Sequence, residues 1–545
     1  MAQPVRPTPS AALPTLDAHL PADRRQALAR GLQLPERATG SVLLADVSGF
    51  TPLMEHLANT LGPQQGAEEL TLLLNALFAP LVGLVHCYGG SVIAFGGDAL
   101  TCWFADLPSD TSGLGSGARA AICALEMQRQ VAAFGRKRTS AGPAALSMHV
   151  GIASGHVRRF AVGRPPHGRY DVLAGATVER CAEAQRRAAA GQVVVDAVTA
   201  AALPAAALQP HSDGFFLLAD TMLVPPPLPD GDRALFPPLP ARQVRRWLAA
   251  SLYRRLRAGG AGYAAELRLV TSLFVHFAGL DFESDLHAGR KLQRYVALAQ
   301  ERLAPYEGYL AMVACGEKGG VLHILFGAPV SHEDDPSRAV GFALEFQEGA
   351  RSLPFLRDQR IGASMGRVYA GLLGSSERCT YTILGDEVNV SARLMAAAAP
   401  GQVLVSRHVQ RAAADFAFRS LGTVAVKGRE EMVPALQPLA SRERRLEEEV
   451  LIGREAEQRA IADLLAQVAA GQGQVLLLLG EAGVGKSALV RAMLRQAQER
   501  GWHGHTGACL SYGQHIPYLP WRLLLEEFYG LGQLAPAERI ARLER

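Results

Sequence analysis

Short apolar runs alternate with Ala-rich amphipathic stretches along most of the chain, and this alternation predicts an α+β fold. The run SVLLADV at 41–47 predicts a buried strand. Thr51 and Pro52 follow as a helix N-cap and first helical residue, so a helix should begin there. A Gly-Gly turn joins two apolar runs in VIAFGGDALTCWF at 92–104, which predicts a strand hairpin. We expect a sheet covered by helices on one side.

This pattern occurs twice in the chain. VGIASGHV at 150–157 parallels IGASMGRV at 361–368, and SVLLADVSGF at 41–50 corresponds to TSLFVHFAGL at 271–280. A longer correspondence links GRYDVLAGATVERCAEAQRRAAAGQVVVDAV at 168–198 with CTYTILGDEVNVSARLMAAAAPGQVLVSRHV at 379–409. Each copy spans roughly 170 residues, a usual domain size, so we predict two copies of one domain.

Changes in composition indicate where the domains end. Pro-rich runs lie between the two copies, and a charged stretch, SRERRLEEEV, follows the second copy. The predicted organisation is a leader, mobile or weakly helical, at 1–40, a first domain at 41–202, a Pro-rich linker and helix at 203–262, a second domain at 263–440, and a C-terminal segment at 441–545.

Composition narrows the function classes. Lys and Arg number 55 against 51 Asp and Glu, and the net charge of +4 provides no long-range field for nucleic acid or an anionic membrane. The seven cysteines are scattered and form no CxxC pair, which argues against a disulfide framework or a zinc site. No apolar run approaches the ~20 residues of a membrane span, and no signal-peptide pattern is visible. We therefore expect a protein of the reducing cytoplasm, without an integral membrane span or a nucleic-acid partner.

Two aspartates of the first copy stand where a metal ion could be bound. Asp46 ends the first strand, immediately before the predicted helix start, and Asp98 lies on the hairpin turn. A carboxylate at a strand end suits a hard cation, and the free N–H groups at a helix N-terminus suit phosphates. Each aspartate alone is weak evidence, since an Asp after Gly-Gly is often structural. Their combination in LLADVSGFT and FGGDAL predicts a magnesium–polyphosphate site.

With these motifs the sequence resembles the class III nucleotidyl cyclases, in particular the soluble adenylyl cyclase type, in which two unlike cyclase homology domains precede a P-loop ATPase region. The resemblance covers about 41–440 and continues into the C-terminal segment. It implies two ferredoxin-like cyclase domains that form a pseudo-twofold heterodimer within one chain. The start of an α/β P-loop NTPase domain would follow.

The resemblance also implies roles for residues of the first copy. Asp46 and Asp98 would bind two Mg²⁺ or Mn²⁺ ions, and the backbone carbonyl of Val47 would join one of them. The residues that would contact the triphosphate are Ser48, Gly49, Phe50 and Thr51. One departure concerns the triphosphate, because His149 stands where a basic residue commonly precedes the VGIASGH-type strand.

The second copy lacks the two acids and carries different motif residues. His276 stands at the position of Asp46, and Gly320 aligns with Asp98. The copy keeps YTILGDEVNVSARLM, in which Asn389 and Arg393 are four residues apart and project from one helical face. The resemblance implies that the Asn orients the ribose and that the Arg stabilises charge on the α-phosphate.

Lys318 and Thr382 match the positions at which adenylyl cyclases contact the purine. A cationic donor and a hydroxyl suit adenine N1 and the 6-amino group. Guanylyl cyclases place Glu and Cys or Ser there instead. The resemblance therefore implies ATP as the substrate.

The two copies are complementary. The counterparts of Asn389 and Arg393 in the first copy are Val178 and Ala182, or Glu179 and Glu183 if the register shifts by one residue. Neither register restores the Asn–Arg pair. We therefore expect one complete site between the copies, next to a degenerate second site that is a candidate for a regulatory ligand.

Bicarbonate is a known regulatory ligand of the degenerate site in the soluble adenylyl cyclases that this chain resembles. The Lys that would hold it is replaced here by Ala94, and the Arg falls on Cys181 or Ala182. A small anion would lose its hydration in such a cleft without compensating charge. We expect weak or absent bicarbonate stimulation.

The C-terminal segment contains QVLLLLGEAGVGKSALVRAML, which predicts a buried strand, a loop and a helix. This run fits the Walker A pattern, whose backbone N–H groups wrap phosphates while its Lys reaches the β/γ-phosphates. The predicted residues for a second nucleotide are Gly480, Gly483, Gly485, Lys486 and Ser487. No apolar strand ending in Asp follows, so we expect an incomplete ATPase domain.

The leading prediction is an adenylyl cyclase that converts ATP to 3′,5′-cyclic AMP and pyrophosphate. One alternative is a signalling P-loop ATPase or scaffold whose cyclase-like domains only bind a regulator. Complementary halves of one site argue against it, because drift would rarely spare both. The other alternative, a guanylyl cyclase, is disfavoured by Lys318 and Thr382.

Overall fold

A computed structural model describes residues 15–49, 53, 56–57, 60–106, 114–135, 138–139, 142–143, 146–219, 238–257, 266–316, 319–413, 415–424, 432–441, 454–479, 486–505, 521, 524–525 and 528–529. The chain divides into two units, residues 1–441 and 442–545, and each is described by itself. None of the helices in the described ranges combines the length and the apolar character that a membrane crossing requires.

The first half of the N-terminal unit is built around one sheet. Its elements in chain order are α1 (Ala22–Ala29), β1 (Arg37–Ser48), α2 (Pro63–Cys87), β2 (Ser91–Gly96), β3 (Ala99–Ala105), α3 (Ser116–Gly135), β4 (Arg138–Thr139), β5 (Gly142–Pro143), β6 (Ser147–Gly163), β7 (Arg169–Ala174), α4 (Ala176–Arg187), β8 (Val193–Asp196), α5 (Ala197–Ala201), β9 (Leu208–Ser212) and β10 (Phe215–Leu218). The strand order is β2-β3-β1-β6-β8-β10-β9, with β7 paired to β6 and β4–β5 separate.

The second half repeats this architecture. Its elements are α6 (Ala241–Val244), α7 (Ala250–Arg257), β11 (Glu266–Ala278), α8 (Ala288–Leu303), β12 (Tyr309–Gly316), β13 (Gly319–Phe326), α9 (Asp335–Ala350), β14 (Asp358–Gly374), β15 (Cys379–Leu384), α10 (Asp386–Ala397), β16 (Val403–Val405), α11 (Arg407–Ala412), β17 (Phe416–Val424) and β18 (Val433–Ser441). The strand order β12-β13-β11-β14-β16-β18-β17, with β15 on β14, matches that of the first sheet. The predicted duplication and the α+β fold class are therefore confirmed.

The central strand β1 separates two environments, because successive side chains of a strand point to opposite faces. Leu43, Ala45 and Val47 are buried in a core with the apolar faces of α2 and α3. Val42, on the other face, packs with residues of α4. Asp46 has the parity of Val42, so this alternation directs its carboxylate to the face that α4 covers.

Part of the predicted leader is folded, and β1 begins at Arg37 rather than at residue 41. α1 is held by buried ion pairs: Arg24 Nε donates to Asp171 Oδ2 at 2.7 Å, and Arg159 Nε donates to the other oxygen of that carboxylate at 2.7 Å. Burying a charge is costly unless it is paired. Because the partners lie far along the sequence, the composition of residues 1–40 does not reveal this packing.

The linker between the domains also differs from the prediction. β9 and β10 pair with each other, and β10 pairs with β8, so the first sheet continues past residue 202 to residue 218. Farther along, Leu252 and Leu256 of α7 are buried in a cluster that includes Val270 of the second domain. The predicted linker helix is thus a packing element.

The C-terminal unit contains α12 (Glu455–Ala469) and α13 (Lys486–Glu499), which pack through Ile461, Leu465 and Leu489. The predicted buried strand before α13 is not formed at residues 472–479. Val475 and Leu479 are 95% and 83% exposed. A strand needs neighbouring strands for stability, and the described part of this unit supplies none.

Candidate active site

A cavity of about 190 Å³, here called the first cavity, lies between the two domains. The first domain contributes the end of β2 and the following turn, from Phe95 to Asp98. The second domain contributes β15 and the start of α10, which include Thr382 and Asn389. Three residues that the sequence assigned to one site therefore line one cavity.

Asp46 lies beside the β2–β3 turn. In the β1–β3 pairing it faces Ala99, the neighbour of Asp98. The N–H of Val47 donates to the backbone carbonyl of Asp98 at 3.2 Å, which holds the end of β1 against the turn. Gln185 Nε2 of α4 donates to Asp46 Oδ2 at 3.4 Å. The fold thus places both aspartates at the same end of the strands, where β1 finishes and where β2 turns into β3.

Both carboxylates have raised pKa values. Burial raises the pKa of Asp98 to about 6, and the nearby charge of Asp46 adds to this rise. Burial also raises the pKa of Asp46, against an opposing effect of His149. Neighbouring carboxylates that disfavour each other's charge are stabilised by a cation between them.

The donor set fits a hard divalent cation. Mg²⁺ prefers oxygen ligands, and the carboxylates of Asp46 and Asp98 with the carbonyl of Val47 provide them. In the described part of the chain, no three His, Cys, Asp or Glu side chains cluster as a complete metal site. Substrate phosphate oxygens and water would therefore complete the coordination, as is usual for Mg²⁺ in nucleotide sites.

The segment predicted to contact the triphosphate is partly described. Ser48 Oγ lies 2.8 Å from Ser147 Oγ and 3.3 Å from His149 Nε2. His149 Nδ1 donates to the carbonyl of Ala188 at 2.9 Å, so both of its ring nitrogens have protein partners. Gly49 has φ of 103°, a conformation that favours glycine. Two further predicted contacts lie outside the described residues: Phe50 and Thr51.

The helix α10 carries the other predicted catalytic pair. Asn389 lines the first cavity, whereas Arg393, one turn later, lies beyond its lining. The side chains of these two residues show no hydrogen bond or ion pair to any described residue. Ser391 anchors α10 to β11, because its Oγ lies 2.9 Å from Ser272 Oγ.

A second cavity, of about 380 Å³, occupies the pseudo-twofold related position. His276 and Gly320 line it in place of the aspartates. The helices α4 and α10 lie in the same register on their sheets, because Gly151 contacts the carbonyl of Cys181 as Gly362 contacts that of Ser391. Of the two alignments that the sequence allowed, this register selects Glu179 for Asn389 and Glu183 for Arg393.

Lys318 lies outside the described residues. Gly316 and Gly319 on either side of it line the second cavity, whereas Thr382 lines the first. That Lys318 and Thr382 contact the same base stays a prediction.

The first cavity contains aromatic and sulfur-containing side chains that the sequence analysis missed. Phe274, Met312 and His323 line it. The rings of Phe274 and His323 stack with centroids 4.2 Å apart and an interplanar angle of 11°. The only sequence signal is a histidine within the apolar run VLHILF, a pattern that usually indicates a core residue.

Arg378, in the turn between β14 and β15, forms hydrogen bonds between the two domains. This buried guanidinium donates to the carbonyls of Val92 and Ile93 in β2, each at 2.9 Å, and to the carbonyl of His19 at 3.0 Å. Burial lowers the pKa of Arg378 to about 10, so it remains charged at neutral pH. It therefore links β15, which carries Thr382, to β2, the strand that leads into the turn with Asp98.

In the C-terminal unit, α13 begins at Lys486, in the position that a Walker A helix requires. The predicted P-loop residues Gly480, Gly483 and Gly485 lie outside the described part of the chain. The side chain of Ser487 lies outside it as well.

Two family models match the chain. The model for the adenylate and guanylate cyclase catalytic domain matches residues 33–216 and 317–435, more than half of the sequence. The chain therefore belongs to this family, as the sequence motifs predicted. The model for the AAA ATPase domain matches residues 450–545.

Curated relatives are similar over part of their length. Adenylate cyclase type 10 of Rattus norvegicus is 24% identical over 421 residues, which is 70% of this chain and 25% of that protein. The Homo sapiens protein of the same name is 24% identical over 388 residues, or 65% of this chain and 24% of that protein. The chain thus spans about a quarter of the length of these relatives.

Solved structures include similar chains. The adenylyl cyclase CyaB from P. aeruginosa is 25% identical with a TM-score of 0.30, and the match covers 33% of this chain and 97% of CyaB. A class III adenylyl cyclase-like ATP-binding protein from Pseudomonas aeruginosa is 14% identical with a TM-score of 0.47, over 69% of this chain and 85% of that one.

Proposed function

We propose that this chain is an adenylyl cyclase that converts ATP to 3′,5′-cyclic AMP and pyrophosphate in the first cavity. The observation that carries the proposal is the lining of that cavity, where Asp98 of one domain faces the same space as Thr382 and Asn389 of the other. Membership of the cyclase family supports nucleotide cyclisation. The choice of ATP and the roles of single residues are part of the proposal.

The first domain would hold the metal ions and the triphosphate. Asp46, Asp98 and the Val47 carbonyl are the ligands for two Mg²⁺ or Mn²⁺ ions. Such ions lower the pKa of the ribose 3′-hydroxyl and offset charge on the triphosphate. The hydrogen bond from Val47 N–H to the Asp98 carbonyl fixes these ligands before the substrate arrives. Preorganised ligands need little rearrangement during the reaction.

The second domain would position the ribose and the α-phosphate. Asn389 lines the cavity and can bind the ribose. Arg393 can reach the α-phosphate from the next turn of α10, and its permanently charged, planar guanidinium suits the negative charge that develops there. The 3′-oxygen forms a bond to the α-phosphorus as the bond to the pyrophosphate oxygen breaks. We assign no protein general base to the released proton.

A direct assay tests the proposal. The purified chain is incubated with ATP or GTP and with Mg²⁺ or Mn²⁺, and cyclic nucleotide and pyrophosphate are quantified by chromatography. We expect cyclic AMP from ATP, little product from GTP, and none from Asp98→Asn. An excess of cyclic GMP, formed from GTP, would indicate a guanylyl cyclase. Absence of any product from a folded chain that binds nucleotide would indicate a non-catalytic binding protein.

We also infer a second nucleotide at the P-loop and a cytoplasmic location. The AAA ATPase match and Lys486 at the start of α13 support the nucleotide. Lys486→Ala should weaken binding of a fluorescent ATP analogue to the C-terminal unit while cyclisation continues in the first cavity. Cell fractionation tests the location.

A further inference from the structure

His323 in β13 is a buried residue whose imidazole lines the first cavity. Burial lowers its pKa to about 3, so the ring is neutral at physiological pH. A neutral imidazole carries a proton on one nitrogen and a free electron pair on the other. The tautomer therefore decides whether the ring offers a donor or an acceptor to the cavity.

A chain of hydrogen bonds determines the tautomer. Ser391 Oγ donates its proton to the carbonyl of Val388 at 2.8 Å. Because a hydroxyl has one proton, Ser391 must accept from Ser272 Oγ at 2.9 Å. Ser272 has then used its own proton, so it accepts from His323 Nε2 at 3.0 Å. The proton of His323 thus resides on Nε2, and Nδ1 is an acceptor.

The acceptor Nδ1 opens to the cavity. It has no hydrogen bond to any described residue. Although His323 as a residue is buried, its Nδ1 atom is not among the fully enclosed polar atoms that lack a hydrogen-bond partner. Nδ1 therefore keeps some exposed surface. Since the ring lines the first cavity and stacks on Phe274, the cavity is the space that Nδ1 faces.

We propose that His323 determines the base specificity of the first cavity by accepting a hydrogen bond at Nδ1 from the 6-amino group of adenine. A 6-oxo group, as in guanine or hypoxanthine, would direct its own electron pairs at Nδ1 and is rejected. Sites built around one hydrogen bond discriminate strongly because the wrong partner leaves a buried polar atom unpaired. This inference deepens the proposed function and rests on it.

Ser272 contributes to the base specificity as a positioning residue, because it determines which nitrogen of His323 carries the proton. It is fully buried and does not belong to the cavity lining. Ser272→Ala removes the acceptor that keeps the proton on Nε2. His323 can then carry its proton on Nδ1 and donate to a 6-oxo group. A residue that never touches the base should therefore relax the base preference.

The experiment compares His323→Leu, Ser272→Ala and the control Ser41→Ala, all in the full chain with Lys486→Ala to suppress nucleotide binding at the P-loop. Ser41 is also buried and lies 2.9 Å and 2.7 Å from the hydroxyls of Ser116 and Ser154, so the control loses a comparable hydroxyl in the first domain. ATP, GTP and inosine triphosphate are compared in two ways. The first is kcat/KM for cyclic product, and the second is competition against a fluorescent ATP analogue with Mn²⁺.

We expect the parent to prefer ATP over both 6-oxo nucleotides. His323→Leu should lower kcat/KM for ATP by about tenfold and the ATP preference by a similar factor. Ser272→Ala should lower the preference while ATP itself is used nearly as well. Ser41→Ala should leave the preference unchanged. Because Ser272→Ala keeps the imidazole, it tests the inference even if His323→Leu fails to fold.

An unchanged ratio of ATP to inosine triphosphate in both variants, or an equal change in Ser41→Ala, would overturn the inference. The two readouts separate it from the proposed function. A His323-dependent preference in competition binding without any cyclic product would refute the cyclase and support the role of His323. Cyclic product with the same base preference in every variant would support the cyclase and refute the role of His323.

Discussion

The two cavities between the domains occupy equivalent positions in a duplicated fold, yet they are lined differently. The first combines Asp98 with Asn389 and the Phe274–His323 stack. The second, which is larger, has Gly320 in place of Asp98 and Glu179 in place of Asn389. A carboxylate at that place repels a triphosphate, and a glycine holds no metal. The two halves share one fold, but only the lining of the first cavity keeps the residues on which the proposed cyclisation depends.

The contacts across the domain interface differ in the same way. Beside the first cavity, the charged Arg378 donates to two carbonyls of β2. Gly168 takes its place in the repeat, and Tyr170 Oη donates to the carbonyl of Leu310 in β12 at 2.5 Å. At Gly168 itself the donor is neutral, because Gln300 Nε2 of the second domain donates to its carbonyl at 2.9 Å. The asymmetry extends from the cavity linings to their supports.

The largest effect that should separate the cavities comes from their acidic positions. Asp46→Asn and Asp98→Asn should each lower the cyclisation rate by about 100-fold or more, because a metal ligand is lost. His276→Ala, the matched change in the second cavity, should leave the rate nearly unchanged. Steady-state rates with Mg²⁺, together with thermal melting to verify folding, provide the measurement. Equal losses in His276→Ala and Asp46→Asn would contradict the division of labour.

The helices α10 and α4 allow a second comparison. Arg393→Ala should lower kcat by roughly 100-fold, since a charge that stabilises the transition state is removed. Glu183, its counterpart, forms ion pairs with Arg186 and Arg187 on the surface of α4. Glu183→Ala should therefore have little effect on kcat, because surface ion pairs contribute little. Comparable losses in kcat for the two variants would show that the helices are not functionally distinct.

A smaller effect should distinguish the two predicted base contacts. Thr382 lines the first cavity, whereas the neighbours of Lys318 line the second. Thr382→Cys with Lys318→Glu should lower ATP use and raise relative GTP use. Each single variant is also measured. If Thr382→Cys alters the preference between ATP and GTP and Lys318→Glu does not, Lys318 is excluded from base recognition. Relative kcat/KM for the two nucleotides is the measurement.

The smallest effect is expected for bicarbonate in the second cavity. Ala94 and Ala182 line it, and Cys181 directs its Sγ to the carbonyls of Val42 and Gly151, each at 3.2 Å. Arg180, the nearest basic residue to these positions in sequence, is bound to Asp196 at 2.9 Å. We expect no rise in maximal rate when bicarbonate replaces chloride at fixed pH and ionic strength.

The control for this prediction uses two of the three arginines of α4, Arg180 and Arg186. Arg186 also lines the second cavity. A several-fold stimulation that disappears in Arg180→Ala or Arg186→Ala would contradict the prediction and identify the residue that binds the anion.

Features that depend on local sequence could be predicted. The apolar run that ends at Asp46, the glycine turn before Asp98 and the i, i+4 spacing of Asn389 and Arg393 follow from strand, turn and helix geometry. The repeat then predicted the second sheet, whose strand order matches the first. These features are determined within one element or its copy.

Features that depend on distant partners could not be predicted. The hydrogen-bonded chain from His323 through Ser272 to Ser391 joins β13, β11 and α10, and no local pattern connects those residues. The same holds for Arg24, whose partner Asp171 belongs to a later strand. For the apolar residues before α13, the local pattern predicted a strand that the structure does not form. The described residues there include no neighbouring strand with which they could pair.

The folded N-terminal segment contacts both domains of one chain, which matters for how their shared cavity is formed. Arg24 of α1 binds Asp171 in the first domain, and Arg25 donates to the carbonyl of Glu377 in the second at 2.9 Å. Separate subunits lose their shared site on dilution, whereas domains tethered in one chain meet at an effective concentration in the millimolar range. The first cavity is lined by two domains of one chain, so bringing these domains together requires no association of separate chains. We therefore expect specific activity in the cyclase assay to stay constant when the protein is diluted.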